Sequence, residues 1–342
     1  MVWISNLAVL ALFLAAIAAG RVVRNDDLWR DALRSLARRR PFAIAGLAIF
    51  GCIGILDSIT WIGGQLQDGS GDAVVAYEAR SLLDRWFQPE TFREASYSAP
   101  LAEAEFYGGA ALRHPGEHWL GTDVLGRDVF YLMLKGIRVA LLIGGFTSLL
   151  VIPIALFFGI SAGYFGGRID DAVFFLISTL ASIPSLLLLI ALIMALGRGT
   201  TQVCVALGIT SWVSLARLTR AETLRLRESD YVEAARALGV SNLKIILRHI
   251  LPNLAHLVVI TFVLLFSGMV LSETILAYLG VGVEGSWGQM IDQAKDELSR
   301  EPVIWWNLLA ASTALFTLLL AVNLVGDALR DVLDPRTIRE TQ

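Results

Sequence analysis

Residues 139–164 read VALLIGGFTSLLVIPIALFFGISAGY and contain no charged side chain in 26 positions. The hydrocarbon core of a bilayer is about 30 Å thick, and a helix needs roughly 20 apolar residues to cross it. Buried helices of soluble proteins rarely run this long without a charge. The stretch therefore predicts a transmembrane helix, and it decides the fold class of the chain.

Five further apolar runs lie around it, with only three charged residues among them: Asp57, Arg217 and Glu273. The whole chain is 56% hydrophobic and 17% charged, whereas soluble domains average about 25% charged residues. The sequence therefore predicts an all-α, polytopic integral membrane protein with six core transmembrane helices. The predicted spans are Phe42–Trp61, Val139–Tyr164, Val173–Leu196, Val203–Leu218, Leu257–Leu279 and Ile304–Val325.

Arginine and lysine are concentrated in alternate loops. Residues 21–40 hold seven arginines and residues 217–248 hold seven arginines and lysines, whereas residues 61–130 hold eleven acidic residues against five arginines. Because cytoplasmic loops carry the excess of positive charge, one orientation satisfies every loop. It predicts that residues 165–172, 219–256 and 326–342 are cytoplasmic, and that 62–137, 197–202 and 280–303 are extracytoplasmic.

The N-terminal part of the chain precedes the first core span. Residues 1–24 contain the apolar run Val2–Ala19, which we expect to be an extra transmembrane helix because Arg21 and Arg24 follow it. A cleaved signal peptide and an interfacial segment are the alternatives. Residues 25–61 are predicted to form an arginine-rich cytoplasmic segment and the first core span.

Residues 62–130 form the one sizeable predicted extramembrane region. They are acidic and poor in apolar residues, so we expect a cap on the outer membrane face rather than an independent domain. A helix is predicted at about Ala73–Phe87.

Two patterns that can mark ligand sites are weak in this context, and a third is absent. The sequence GVGVEG at Gly280–Gly285 matches the dinucleotide fingerprint but follows a membrane helix instead of a strand. His114 and His118 have a spacing that suits a metal on a helix, yet Pro115 disfavours the helical conformation at His114. The chain has no GxxxxGK[ST] phosphate loop. We therefore predict no catalytic residue, cofactor or metal in this chain.

Residues 229–253, SDYVEAARALGVSNLKIILRHILPN, predict two short helices joined by a glycine turn. Asp230 and Glu233 have the spacing of a capping box that opens the first helix. Gly239 suits the left-handed conformation that ends a helix. A second helix, Asn242–Leu251, is expected to begin after Ser241 and to end at Pro252.

The first of these helices presents a narrow face with small residues at its centre, formed by Tyr231, Ala234, Ala235 and Leu238. Such a face suits close docking of a partner. DNA-binding helix-turn-helix units share the glycine turn. Here the second helix offers few base-reading residues and then enters the bilayer, so no nucleic-acid partner is predicted.

The motif Glu233-Ala234-Ala235-x3-Gly239, with Leu251-Pro252 after it, resembles the EAA loop of binding-protein-dependent ABC importer permeases. Similarity to the dipeptide, oligopeptide and nickel branch covers about residues 28–337 and is that of a C-type permease, whereas 1–24 and 62–117 depart from its pattern. The further matching motifs are HWLGTDxxGRD at 118–128, GYFGG at 163–167, Glu273 with SWG at 286–288, and LRHILPN at 247–253.

The resemblance implies a type I ABC importer permease fold in a bacterial inner membrane, with a permease core at 131–337. It also implies a second homologous permease, two ATPase subunits that bind ATP with magnesium, an extracytoplasmic solute-binding protein and surrounding lipid. Residues 229–253 are then a cytoplasmic coupling loop. The residues implied in ATPase coupling are Tyr231, Glu233, Ala234, Ala235, Leu238 and Gly239.

On this interpretation the chain is not an enzyme but a permease subunit that imports peptides or similar small solutes. Glu273 is assigned to helix packing, with a place in the translocation pathway as the alternative. The main alternative function is a secondary transporter. Such proteins usually carry ionisable residues near mid-membrane, whereas these predicted spans are nearly charge-free: Asp57 and Arg217 lie near span ends, and Glu273 is the exception.

Overall fold

The computed structural model describes residues 40–65 and 77–333, and six positions nearer the N-terminus: Leu7, Val9, Leu10, Ala11, Leu14 and Arg38. In this part of the chain five helices are long and apolar enough to cross a membrane, or six when one bent pair counts as a single span. The predicted polytopic all-α fold is confirmed. The helix predicted in residues 1–24 lies outside the continuously described ranges.

The described elements are helices and a small antiparallel ribbon, and residues 88–128 form a long irregular connection among them. They are α1 (Pro41–Ser58), β1 (Thr60–Gln65), β2 (Tyr77–Ser81), α2 (Leu82–Phe87), α3 (Val129–Leu141), α4 (Thr147–Phe165), α5 (Gly167–Ser182), α6 (Ser185–Leu196), α7 (Thr200–Arg227), α8 (Asp230–Ala237), α9 (Asn242–Ile245), α10 (Ala255–Tyr278), α11 (Trp287–Glu297) and α12 (Trp306–Leu333).

The chain divides into two compact units. The described residues of the first are Pro41–Leu142 and Leu271–Ala321, and those of the second are mainly Ile143–Val270 and residues 322–333. In the first unit α1 and α11 both pack against α3. Glycine permits these approaches, since a side chain at Gly54 would run into Leu141 and one at Gly136 would run into Trp287.

The ribbon corrects one prediction. Within the described part of the helix predicted at about Ala73–Phe87, the structure has the extended strand β2 at Tyr77–Ser81, and only Leu82–Phe87 is helical. The reason is a capping box at Ser81: its hydroxyl accepts a hydrogen bond from the Asp84 amide at 3.2 Å, and its own amide donates to the Asp84 carboxylate at 2.8 Å. A helix that begins at Ser81 leaves the preceding residues extended.

The second unit is built on close contact between α4 and α7. Gly159 and Gly163 lie one helical turn apart on α4. A Cβ at the first would come within 2.7 Å of the Ala216 carbonyl oxygen, and one at the second within 2.8 Å of the Arg220 carbonyl oxygen. Small residues at this spacing let two membrane helices pack backbone to backbone. The α4–α7 pair is therefore a close-packed support for the elements attached to it.

The third predicted span, Val173–Leu196, is wrong as a continuous helix. The chain forms α5 and α6, which meet at an angle of 88°. Between them Ile183 is extended at φ −91° and ψ 130°. Pro184 causes this geometry, because proline disfavours the helical conformation of the residue before it and removes a helical N–H.

Candidate functional site

The loop at residues 229–253, for which the resemblance implies a coupling role and which is called the coupling loop below, begins with α8. Ser229 is the N-cap, with φ −78° and ψ 144°, and its carbonyl accepts hydrogen bonds from the amides of Val232 (3.0 Å) and Glu233 (3.1 Å). The predicted capping box of Asp230 and Glu233 is therefore wrong, because Asp230 already has helical geometry. The Ser229 hydroxyl instead donates to the Leu226 carbonyl at 2.5 Å, which ties the start of α8 to the end of α7.

The turn after α8 follows the prediction. Gly239 is left-handed at φ +77°. Its amide donates to the Arg236 carbonyl at 3.0 Å, and the Val240 amide donates to the Ala235 carbonyl at 3.1 Å. These two bonds form a Schellman motif, which satisfies carbonyls at the helix end and reverses the chain direction. The predicted conformation of Gly239 is confirmed.

The predicted docking face is only partly exposed. Tyr231 and Leu238 are 43% and 83% exposed, and Ala234 is also exposed. Ala235 is 8% exposed and belongs to a hydrophobic cluster with Val232 and residues of the elements around it. We define the docking face as Tyr231, Ala234 and Leu238. Sequence spacing did not separate Ala234 from Ala235, since both flank one helical stripe and the position of the core decides which is buried.

The sequence predicts that the second helix of the loop ends at Pro252, but in the structure helical turns continue through this residue. Helix α9 passes into a π-helical turn at Ile246–Ile250, then a 3₁₀ turn at Pro252–Leu254, and then α10. The Leu251 amide donates to the Ile246 carbonyl at 2.8 Å, five residues back. This wider turn accommodates a proline that has no amide hydrogen. The loop is thus continuous with a membrane helix.

The motif at 118–128 forms a buried polar cluster in the first unit. His118 is 1% exposed; its Nδ1 lies 2.8 Å from the Asp128 carboxylate and its Nε2 lies 3.3 Å from the Glu94 carboxylate. Burial lowers the pKa of His118, but the two carboxylates outweigh it and raise the pKa above its ordinary value. His118 is thus an ion-pair centre, and no described group of three His, Cys, Asp or Glu side chains could hold a metal ion.

Glu94 is a residue of this cluster that the sequence did not indicate. Burial raises its pKa, but the backbone amides of Arg113 (2.9 Å) and His114 (2.8 Å), with His118, more than compensate, so the pKa lies below its ordinary value. No local spacing marks Glu94, because it lies 24 residues before His118. Within the motif at 118–128, the Asp123 carboxylate also forms an ion pair with the Arg127 guanidinium at 2.7 Å.

Glu273 lies buried near the C-terminal end of α10. Its carboxylate accepts a hydrogen bond from the Val283 amide at 3.3 Å, and a side chain at Gly288 would come within 3.2 Å of it. It therefore contacts the turn Gly280–Gly285 that joins α10 to α11. This turn contains the GVGVEG sequence and follows a helix, which is not the context of a dinucleotide site.

The fold and the loop together define a multi-pass membrane transport protein. Residues 155–339 match the family described as "Binding-protein-dependent transport system inner membrane component". The chain belongs to this family, and the resemblance inferred from its motifs is confirmed. It is accordingly a multi-pass protein of the bacterial inner membrane.

Individual relatives are permease proteins. The oligopeptide transport system permease protein OppC of Haemophilus influenzae is 30% identical over 92% of this chain and 90% of its own length. The dipeptide transport system permease protein DppC of Bacillus subtilis is 36% identical over 65% of this chain and 70% of its own. The glutathione transport system permease protein GsiD of Pectobacterium atrosepticum is 36% identical over 64% and 73%.

A solved structure shares the fold. A chain of the inward-facing MetNI methionine ABC transporter superposes with a TM-score of 0.50 at 20% identity, over 59% of this chain and 96% of that chain. The predicted type I importer permease fold is confirmed by this match and by the family.

Proposed function

We propose that this chain is the permease subunit of an ABC importer that moves peptides or similar small solutes into the cytoplasm, and that its coupling loop receives an ATPase subunit. The observation that carries the proposal is the docking face. Tyr231 and Ala234 on α8 and Leu238 at its C-cap are exposed, whereas the adjacent side of the helix, at Val232 and Ala235, is anchored in the core. The relatives are named as transport permeases for oligopeptides, dipeptides and glutathione, which supports the solute class.

The proposed assembly divides the work among several chains. ATP and magnesium bind to two partner ATPase subunits, since this sequence has no phosphate loop. A second, homologous permease completes the pathway within the lipid bilayer, and an extracytoplasmic binding protein delivers the solute. Residues 62–117 are proposed to receive that protein. Transport requires the ATP-bound partners to bind one permease conformation more tightly than the other, and the coupling loop transmits this preference.

The assigned coupling residues take distinct places in this proposal. Tyr231, Ala234 and Leu238 contact the ATPase, and Glu233 lies exposed beside them. Ala235 supports the face from beneath, and Gly239 sets the angle of the following helix. Glu273 is proposed to be a packing residue rather than a solute contact, which its bond to the Val283 amide supports.

The direct test uses changes on the docking face. Leu238→Asp places a charge on an exposed apolar position, and Ala234→Trp fills the small-residue surface. We expect both variants to insert in the membrane but to lose the co-expressed ATPase subunit during purification. Leu298→Asp, a matched change at an exposed leucine in the predicted outer segment, should retain it. Full retention of the ATPase by both docking-face variants would refute the proposal.

A further inference from the structure

Tyr164 contacts three helices around the coupling loop within the second unit, namely α7, α8 and α9. It lies near the end of α4 and is 5% exposed. Its hydroxyl donates to the Asn242 side-chain oxygen at 2.9 Å, at the start of α9. The Arg236 guanidinium, at the end of α8, lies 5.7 Å from the centre of its ring. The two contacts therefore fall on opposite sides of the Gly239 turn.

A third contact joins Tyr164 to α7. The Arg227 guanidinium, at the C-terminus of that helix, donates to the Tyr164 carbonyl at 3.5 Å. The ring also belongs to the hydrophobic cluster that includes Val232 and Ala235 of α8 and Ile245 of α9. Tyr164 thus contacts α7 through its main-chain carbonyl and both helices of the loop through its side chain.

The helix that carries Tyr164 is held in place on both sides of it. Gly163, the preceding residue, lies against the backbone of α7 with no room for a side chain. Just beyond α4, the Asp170 carboxylate forms two hydrogen bonds with the Arg220 guanidinium, at 2.5 and 2.6 Å. Such a bidentate pair fixes orientation as well as distance. A displacement of α8 and α9 against this support must therefore act on the Tyr164 contacts.

We propose that Tyr164 is a positioning residue that holds the coupling loop in register with the α4–α7 pair and transmits the movement of the loop to these helices. This inference rests on the proposed function of the loop. The hydroxyl and the ring have separate parts: the hydroxyl orients α9 through Asn242, and the ring face binds the cation of Arg236 at the end of α8. Without the Tyr164 contacts, the Gly239 turn would let α8 and α9 move relative to each other as a hinge.

The experiment measures coupling rather than assembly. Tyr164→Phe and Asn242→Leu each remove the hydrogen bond, and Asn242→Asp keeps an acceptor for the hydroxyl. Each variant is purified with its partner permease and ATPase subunits, and ATP hydrolysis is measured with and without the cognate binding protein. The readout is the ratio of the two rates, which needs no identified solute. Tyr278→Phe, at a half-exposed tyrosine at the end of α10, is the matched control.

We expect all these complexes to keep their ATPase, because the docking face is unchanged. The stimulation ratio should fall about fivefold in Tyr164→Phe and in Asn242→Leu, as the loss of one hydrogen bond from the coupled state predicts. The double variant should be no worse than either single one, since both delete the same bond. Asn242→Asp and Tyr278→Phe should keep the native ratio.

A native ratio in both single variants, or additive losses in the double variant, would overturn the role of Tyr164. If Tyr164→Phe fails to fold, the contrast between Asn242→Leu and Asn242→Asp decides the question alone: equal ratios would overturn the proposal. These outcomes are distinct from failure of the proposed function, which would appear as retention of the ATPase by Leu238→Asp and Ala234→Trp.

Discussion

Gly239 is a residue whose importance comes from its backbone. It is left-handed, and among the described residues no atom other than those of Gly239 and its two chain neighbours lies within 4 Å of the position that its Cβ would occupy. A side chain would therefore cost conformational strain of about 1 kcal/mol, and more if it is β-branched, without a steric clash. That strain is too small to unfold the protein but large enough to change the angle between α8 and α9.

The prediction for Gly239 is a graded series. Gly239→Asn should be tolerated, because asparagine adopts the left-handed conformation readily. Gly239→Ala should weaken coupling, and Gly239→Val should uncouple ATP hydrolysis from transport or release the ATPase while the permease stays in the membrane. Complex retention, ATPase activity and uptake are measured for each. Native values of all three for Gly239→Val would contradict this account of the turn.

His118 predicts a pH dependence of stability. Its pKa is raised in the folded protein, so its ion pairs with Asp128 and Glu94 contribute fully below its ordinary pKa of 6.5 and are lost as pH rises through the elevated value. His118→Gln should cost about 3 kcal/mol at pH 6, because it leaves two buried carboxylates without their cation. In this variant the stability should no longer fall as the pH rises through the elevated pKa of His118.

Thermal unfolding of the detergent-purified protein at pH 6 and pH 9 checks the His118 prediction. His114→Gln is the control, since its ring lies at the surface with Nε2 3.1 Å from the Thr91 carbonyl. That variant should keep the native pH dependence. An equal fall in the unfolding temperature between the two pH values in native protein and His118→Gln would exclude the ion-pair centre as its cause.

At the scale of elements, charge-free runs predicted the membrane helices but not their ends. The sequence predicts that the second span begins at Val139, because Lys135 and Arg138 interrupt the apolar run before it, yet the helix begins at Val129. Lys135 binds Asp57 and Asp84, each at 2.7 Å, which compensates its charge. Those partners are distant in sequence, so hydropathy cannot identify them. Hydropathy likewise cannot predict that Ala235 is buried or that Glu94 pairs with His118, because both depend on residues distant in sequence.

The break between α5 and α6 gives an element-scale prediction. Two spin labels at exposed positions 174 and 194 would lie about 30 Å apart on a straight helix but about 20 Å apart across a right-angled bend. We expect the shorter distance in a background with Cys52→Ser, and an increase toward the longer one in Pro184→Leu, which restores the amide hydrogen and frees Ile183 to become helical.

The control for the break is Pro153→Leu, since Pro153 lies inside α4, which stays helical around it. This variant should keep the native label distance. An unchanged distance in Pro184→Leu as well would mean that packing around α5 and α6, rather than the proline, sets the angle.

At the scale of the molecule, residues 62–117 are predicted to lie outside the membrane and are proposed to receive the binding protein. Deleting Asp68–Pro100 would remove Asp84 and Glu94, which hold buried interactions with Lys135 and His118. A sharper test of the proposed site neutralises exposed acidic side chains and leaves these buried interactions intact. Glu90→Gln, Glu103→Gln and Glu117→Gln together should raise the binding-protein concentration needed for half-maximal ATPase stimulation several-fold at low salt, because surface charge accelerates association.

That difference should shrink at high salt, where surface charges are screened. Glu284→Gln with Glu301→Gln, two exposed acids outside the region, should leave the half-maximal concentration unchanged. The same concentration for the triple variant and the native protein at low salt would count against residues 62–117 as the receiving surface.

The central claim is that the coupling loop touches an ATPase subunit. Leu238→Cys, in a background with Cys52→Ser, places a photoactivatable thiol-linked crosslinker on the docking face of the assembled complex, and the product is identified by mass spectrometry. The account predicts a covalent product between position 238 and the ATPase, and none from the same label at position 298 in the predicted outer segment. A complex that retains its ATPase but gives no such product from position 238 would contradict it.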